Sequence, residues 1–295
     1  MNTIFHPLGY PVEIASARPE PLEAAARLWE GWPALFDAPP LRIEVRVHRG
    51  AGPCAAPHFI APVRFEGDDL NFAQFDPVSG AGLIAIAAAA LDTVRFRHHF
   101  LEALVLTALD TVFFTPLHAA CVVQNREGIL LCGDSGAGKS SLAYACASRG
   151  WTLVSDDAVH VAPGPERIGV GGSNIIRLRE PARALFANLS RFDTAIAPNG
   201  KQAIEIHAAA HGFRSARCAC LGPCVFLKRR PGPPRWGEFS KSAAIAYFLK
   251  YLFPRDTARA AQRLKELLDS PPLLLQYEHV EDAAAAMESL VEAAI

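Results

Sequence analysis

The sequence predicts an α/β protein, with a mixed-sheet core over residues 96–295 preceded by a smaller α+β domain over residues 1–95. Three observations predict it. The run GDSGAGKS, Gly133 to Ser140, lies between a strand-like stretch and a helix-like one. After Pro116, strand-like and helix-like stretches alternate around that run, which is the order of an α/β core. Earlier, LRIEVRVH (41–48) alternates apolar and polar residues with period two, as a half-buried strand does.

Composition narrows the class. The chain has 295 residues, 51% hydrophobic and 20% charged, enough to bury a core and ordinary for a globular protein. A formal net charge of −1 supplies no global field for nucleic acid or an anionic membrane, so neither is an expected partner. The basic run LKRRPGPPR (227–235) reads as a solvated loop. No basic start followed by an apolar run opens the chain, so no signal peptide is read. GLIAIAAAALDTV (82–94) is too short to span a bilayer, and FLEALVLTALDTVFF (100–114) carries Glu102 and Asp110. The expected location is the cytoplasm. Seven irregularly spaced cysteines do not read as a disulfide framework. His207, His211, Cys218, Cys220 and Cys224 lie close together, but Cys-x-Cys-x-x-x-Cys is not a common zinc spacing and core packing is the expectation.

The elements follow in order. GYPVEIAS (9–16) reads as a strand and PEPLEAAARLWEGW (19–32) as a helix with proline near its start. After LRIEVRVH, HFIAPVRFEG (58–67) and LNFAQFD (70–76) read as further strands around a turn. From Arg97 to Phe114 the spacing of Leu101, Leu104, Val105, Ala108 and Val112 predicts a core-facing helix. Then come the strand LHAACVVQ (117–124), the turn NREG (125–128), the strand ILLCGD (129–134), the helix SSLAYACASR (140–149) and the strand TLVSDD (152–157). Beyond RIGVGGSNIIRLR (167–179) lie a predicted helix EPARALFANL (180–189), a strand pair, and helices in SKSAAIAYFLKYLF (240–253) and TARAAQRLKELLDS (257–270). The strand LLLQYEHV (273–280) and a helix from Glu281-Asp282 close the chain.

GDSGAGKS fits the pattern G-x-x-x-x-G-K-[ST], and its chemistry follows from its residues. Gly133, Gly136 and Gly138 permit backbone conformations that turn amide N–H groups inward on a phosphate chain. The helix starting near Lys139 turns its N-terminal amides and dipole on the same anion. Lys139 suits the β- and γ-phosphates and the Ser140 hydroxyl suits Mg²⁺. The candidate nucleotide-binding residues run from Gly133 through Asp134, Ser135, Gly136, Ala137, Gly138, Lys139 and Ser140 to Ser141.

Two further features flank the loop. From Lys139 to Arg149 a helix rises about 16 Å. TLVSD then returns about 16 Å as a strand. Asp156 and Asp157 therefore come back beside the loop, where one carboxylate can hold a metal and the other can take a proton from a hydroxyl. If LHAACVVQ and ILLCGD form a hairpin around NREG, partners sum to about 253 and His118 falls opposite Ser135, give or take a residue or two. That register predicts an imidazole at the mouth of the loop.

Together, GDSGAGKS, the upstream His118 and GWTLVSDDAV (150–159) resemble the catalytic domain of the HPr kinase/phosphorylase family, over roughly residues 116 to 230. The resemblance implies an HPr kinase/PEP carboxykinase-like fold with a P-loop core, using ATP and Mg²⁺. It implies Asp156 as general base, Asp157 as metal ligand beside Ser140, and His118 and Lys139 in the catalytic set; coupling between adjacent carboxylates leaves the order of the aspartates open. The chain also departs from the family. Ser141 stands where the family usually has glutamate, and GGSNIIRLRE (171–180) stands where it has Arg-Gly-Leu-Gly. Arg177 or Arg179 is a candidate phosphate or substrate contact by position. Many family members form hexamers, which leaves a homo-oligomer open here.

The leading reading is a kinase-like protein that transfers the ATP γ-phosphoryl to a hydroxyl, serine-type acceptor on a protein, peptide or small molecule. The alternative is a catalytically silent ATP-binding or regulatory protein of the same fold, motivated by the two departures. A GTPase or motor ATPase is disfavoured, because no Asn-Lys-x-Asp motif is present and the aspartates follow the loop closely.

Overall fold

The computed structural model describes residues 1–50, 58–61, 63–68, 70–172, 174–196, 202–252 and 257–292. The chain divides into two compact units, the first running Met1–Phe114, the second from Thr115 through the C-terminal segment.

In the first unit the strands are β1 (Asn2–Phe5), β2 (Val12–Ser16), β3 (Leu41–His48), β4 (His58–Ala61), β5 (Arg64–Glu66), β6 (Phe72–Asp76) and β7 (Ala81–Ala87). Among the described residues they form one mixed sheet in the order β1-β2-β3-β7-β6-β5-β4. The period-two pattern of β3 is realised: Leu41, Ile43 and Val45 are buried while Arg42, Glu44 and Arg46 are exposed. Helix α1 (Glu20–Trp29) connects the parallel neighbours β2 and β3. The predicted strand at 58–67 is a hairpin of two short strands instead. The apolar 81–87 stretch, given no element from the sequence, is β7 at the middle of the sheet. Its continuous apolar run carries no alternation to read.

The helix predicted from Arg97 is present as a π-wound opening, Phe96–Glu102, running into α2 (Ala103–Val112). Leu101, Leu104, Val105 and Ala108 are fully buried. Because this stripe packs on the first sheet, with Leu104 beside Gly82 of β7, the unit ends at Phe114 and not near residue 95.

The second unit holds β8 (Thr115–Leu117), β9 (Ala119–Gln124), β10 (Glu127–Cys132), α3 (Lys139–Ser148), β11 (Thr152–Ser155), β12 (Val159–Val161) and β13 (Ile168–Gly171). It continues with β14 (Ile175–Leu178), β15 (Thr194–Ile196), β16 (Gln202–His207), β17 (Cys218–Arg229), β18 (Arg235–Glu238), α4 (Lys241–Leu249), α5 (Thr257–Leu267), β19 (Leu273–Tyr277) and α6 (Val280–Glu292). The main mixed sheet runs β11-β9-β10-β17-β13-β12-β8, with β19 also on β17 and β18 on β19; β14-β16-β15 form a small separate sheet. Part of the basic run expected as a loop is thus strand, in β17 and β18. EPARALFANL is two short 3₁₀ turns, Glu180–Ala184 and Ala187–Arg191, broken where Phe186 takes an extended backbone and packs its ring on Tyr144.

The central strands are covered on both faces. Ile129 and Leu131 of β10 join one core with residues of α3 and α6, while Leu130 and Cys132 join the other with residues of α4 and α5. That double burial explains the unbroken apolar run in ILLC. The parallel neighbour β17 sits beside β10 and extends past its end, so the loop after Cys132 leaves the sheet at a carboxyl edge. Cys224 is buried in the second core as expected, whereas Cys220 is exposed and bonds the Glu166 carbonyl.

Candidate active site

The glycine-rich run lies between a strand and a helix, as its pattern requires. β10 ends at Cys132, and α3 starts at Lys139 with Gly138 as its N-cap and no side-chain cap. Gly138 has φ +103°, and a Cβ there would lie 2.1 Å from the Tyr277 hydroxyl. Only glycine fits both constraints. That hydroxyl donates to the Ala137 carbonyl at 2.7 Å, holding the end of the loop from β19. Asp134, Ser135 and Gly136 are exposed, Gly133 and Lys139 are buried, and Ala137, Ser140 and Ser141 lie between.

The hairpin before the loop is tighter than predicted. Asn125 and Arg126 both have positive φ, so the turn has two residues, the primed geometry that matches strand twist. Partners therefore run from Glu127↔Gln124 to Cys132↔Ala119. His118 follows opposite Gly133 rather than Ser135, within the predicted margin. It sits at the break between β8, which pairs with β12, and β9, which pairs with β10 and β11. A ring at such a break is held by two strand ends and still faces the loop.

His118 joins Lys139 and Asp157. Lys139 Nζ donates to the Gly133 carbonyl at 2.6 Å and lies 3.0 Å from His118 Nε2. His118 Nδ1 lies 3.4 Å from Asp157 Oδ1. An ammonium can only donate, so His118 is the neutral tautomer with its proton on Nδ1, facing the carboxylate. Burial, then the Lys139 charge, hold the imidazole below its usual pKa. Burial also holds Lys139 below the usual lysine value, with Asp157 opposing it.

The two aspartates separate. Asp157 is 72% exposed at the side chain, beside His118. Asp156 is buried, accepts the Arg177 amide on Oδ2 at 2.7 Å, and is pushed up to about 6 chiefly by burial. Ser155 fixes their turn: its hydroxyl donates to the Ala158 carbonyl and accepts from the Asp157 and Ala158 amides. Ser140 Oγ bonds the Asp156 carbonyl oxygen at 3.3 Å, so the structure brings it to the aspartate backbone and not to a carboxylate. Of the two arginines, Arg179 reaches the loop, donating to Ser135 Oγ at 2.9 Å, while Arg177 pairs with Glu205.

Sequence reasoning missed the C-terminal contributors. Tyr247 of α4 places its hydroxyl against Gly133 and His118. Lys250 pairs with Asp134 at 3.3 Å, and the Tyr251 ring lies 4.6 Å from that of His118. Tyr247 lies in the last turn of α4, and Lys250 and Tyr251 follow its end; polar tips at 247, 250 and 251 in an otherwise apolar segment were the available signal. Tyr277 had none, since only the fold brings β19 under the loop.

The arrangement suits a metal-bound polyphosphate. Gly138 leaves a cradle that a Cβ would fill, an uncapped helix end and Lys139 supply positive character, and the hydroxyl of Ser140 with the carboxylate of Asp157 are hard oxygen donors of the kind Mg²⁺ takes. No helix among the described residues is long and apolar enough to cross a membrane.

Residues 113–177 match the family described as HPr Serine kinase C-terminal domain, a span that holds His118, the loop and both aspartates. A solved structure, the Hpr(Ser) kinase/phosphatase from Coxiella burnetii, aligns at 16% identity over 60% of this chain and 88% of that one, with a TM-score of 0.34. No curated protein sequence matches the chain.

Proposed function

From the premise that residues 113–177 are a divergent HPr serine kinase-like segment, we propose that this protein binds ATP·Mg²⁺ on a P-loop and transfers the γ-phosphoryl to a hydroxyl acceptor. The observation that carries the reading is the chain Gly133–Lys139–His118–Asp157 at the loop mouth. Phosphoryl transfer asks the protein chiefly for positioning and charge, with one base for the acceptor proton. The loop amides and the end of α3 hold the phosphates. Lys139 leaves the Gly133 carbonyl to meet the β- and γ-oxygens. Ser140 and Asp157 would hold the metal, which would supply neutralisation of charge on the phosphates. Asp156, held near 6, takes the acceptor proton close to neutral pH. Arg179, which donates to Ser135 Oγ, is the arginine of this pair for a phosphate or substrate contact.

The test is incubation of lysate with labelled ATP and Mg²⁺, wild type beside Lys139→Ala. A labelled protein or metabolite that disappears with the variant supports the reading and gives the acceptor class. With that acceptor in hand, Asp156→Asn should bind ATP and lose transfer; undiminished transfer would sink the base assignment. The second reading, ATP binding without transfer, is favoured by Ser141 in place of the family's glutamate, and wild-type binding with no labelled product would select it.

A further inference from the structure

The Gly133 carbonyl receives two donors at once. Lys139 Nζ donates to it at 2.6 Å, and the Tyr247 hydroxyl lies 2.7 Å from it. The same hydroxyl accepts the Gly133 amide at 3.1 Å and lies 2.9 Å from the His118 carbonyl. A phenol has one proton, so it donates to one carbonyl at a time while accepting from the amide. Tyr247 thereby joins the first residue of the loop to the residue before β9, from a helix more than a hundred positions further along the chain. Its ring is fixed independently, edge-on to Phe226 and Phe248 and 5.2 Å from Tyr251.

We infer that Tyr247 is a positioning residue: its hydroxyl clamps Gly133 to the His118 strand and serves as the replacement donor for the Gly133 carbonyl when Lys139 turns to phosphate. The replacement step rests on the ATP reading above; the clamp does not. Without that hydroxyl, a lysine leaving for a phosphate strands the buried Gly133 carbonyl, and an unpartnered buried acceptor is costly. The lysine is then held in its resting place, and the loop and His118 drift apart.

Tyr247→Phe in the full chain tests it, since the ring and its packing remain. In nucleotide-free protein, hydrogen exchange at the Gly133 amide should accelerate about tenfold, the effect of losing one ordinary hydrogen bond. Affinity for ATP·Mg²⁺ should weaken about tenfold by calorimetry for the same reason, and affinity for AMP, which carries no β- or γ-phosphate, should not change. A purely structural role would lower both affinities together. Unchanged Gly133 exchange overturns the clamp, and equal weakening for ATP and AMP overturns the replacement step. Wild-type protein that binds no ATP·Mg²⁺ overturns the proposed function and the replacement step with it, while the exchange measurement still decides the clamp.

Discussion

Burial pushes the Asp156 carboxyl up to about 6 from 3.8, even though its Oδ2 accepts the Arg177 amide. The folded value lies above the unfolded one, so the fold favours the protonated form. That contribution is complete below about pH 4 and is lost as pH rises through about 6, a change of about 3 kcal/mol. Asp156→Asn keeps an oxygen for the Arg177 amide and carries no charge. Its thermal midpoint in nucleotide-free protein should match wild type near pH 4 and exceed it at pH 8. A wild-type midpoint that stays level between those values would contradict the burial account. The acidic pair beside the loop was legible in the sequence, but this contrast between neighbouring aspartates was not. Both are acidic and adjacent in sequence; only packing makes one buried and leaves the other at 72% side-chain exposure.

The strand–loop–helix around Lys139 could be read from its pattern because glycine, lysine and serine at those offsets are each required locally. The hairpin before it was read two residues loose, since Glu127 and Gly128 were assigned to the turn when Asn125-Arg126 suffices. Gly138 ties loop to sheet: its φ of +103° and the Tyr277 hydroxyl both exclude a side chain. Gly138→Ala should abolish ATP·Mg²⁺ binding. Adding Tyr277→Phe should restore it in part, because removing the clash leaves a left-handed backbone that costs an alanine about 1–2 kcal/mol, about five- to thirtyfold in affinity. Full recovery in the double variant would show that the clash alone matters. Helix α4 illustrates the opposite limit. Its apolar composition announced a helix, while Tyr247 in its last turn and Lys250 and Tyr251 just past its end gain meaning only once the fold sets them against Gly133, Asp134 and His118.

The two units differ in how they use their sheets. In β3, alternation leaves Arg42 and Glu44 in solvent and Ile43 in the core. In β10 both Leu130 and Leu131 are fully buried, in separate cores. Leu130→Ala and Leu131→Ala should each cost about 2–5 kcal/mol by chemical denaturation. Glu44→Ala should stay within about 0.5 kcal/mol. If one of the two leucine variants proves neutral, that face of β10 is not a packed core. The alternating strands and long helices were legible in the sequence because their pattern repeats within a few residues. The missed β7 and β18, and the helix predicted at 180–189, were not: the apolar run of β7 carries no alternation, β18 is exposed throughout and is set by its pairing with β19, and the Phe186 ring packed on Tyr144 overrides local preference.

Residue chemistry and short-range geometry were enough to locate a glycine-rich loop between a strand and a helix, to bring the Asp156-Asp157 pair back to it, and to set His118 near its mouth. Each step depends on bond lengths, helix rise and strand pairing that any chain obeys. The contributors from α4 and β19, the burial that divides the aspartates, and the choice of Arg179 over Arg177 came from folding. They join residues more than twenty to more than a hundred positions apart through the stacking of layers, and no local pattern encodes which distant side chain a stacked layer delivers.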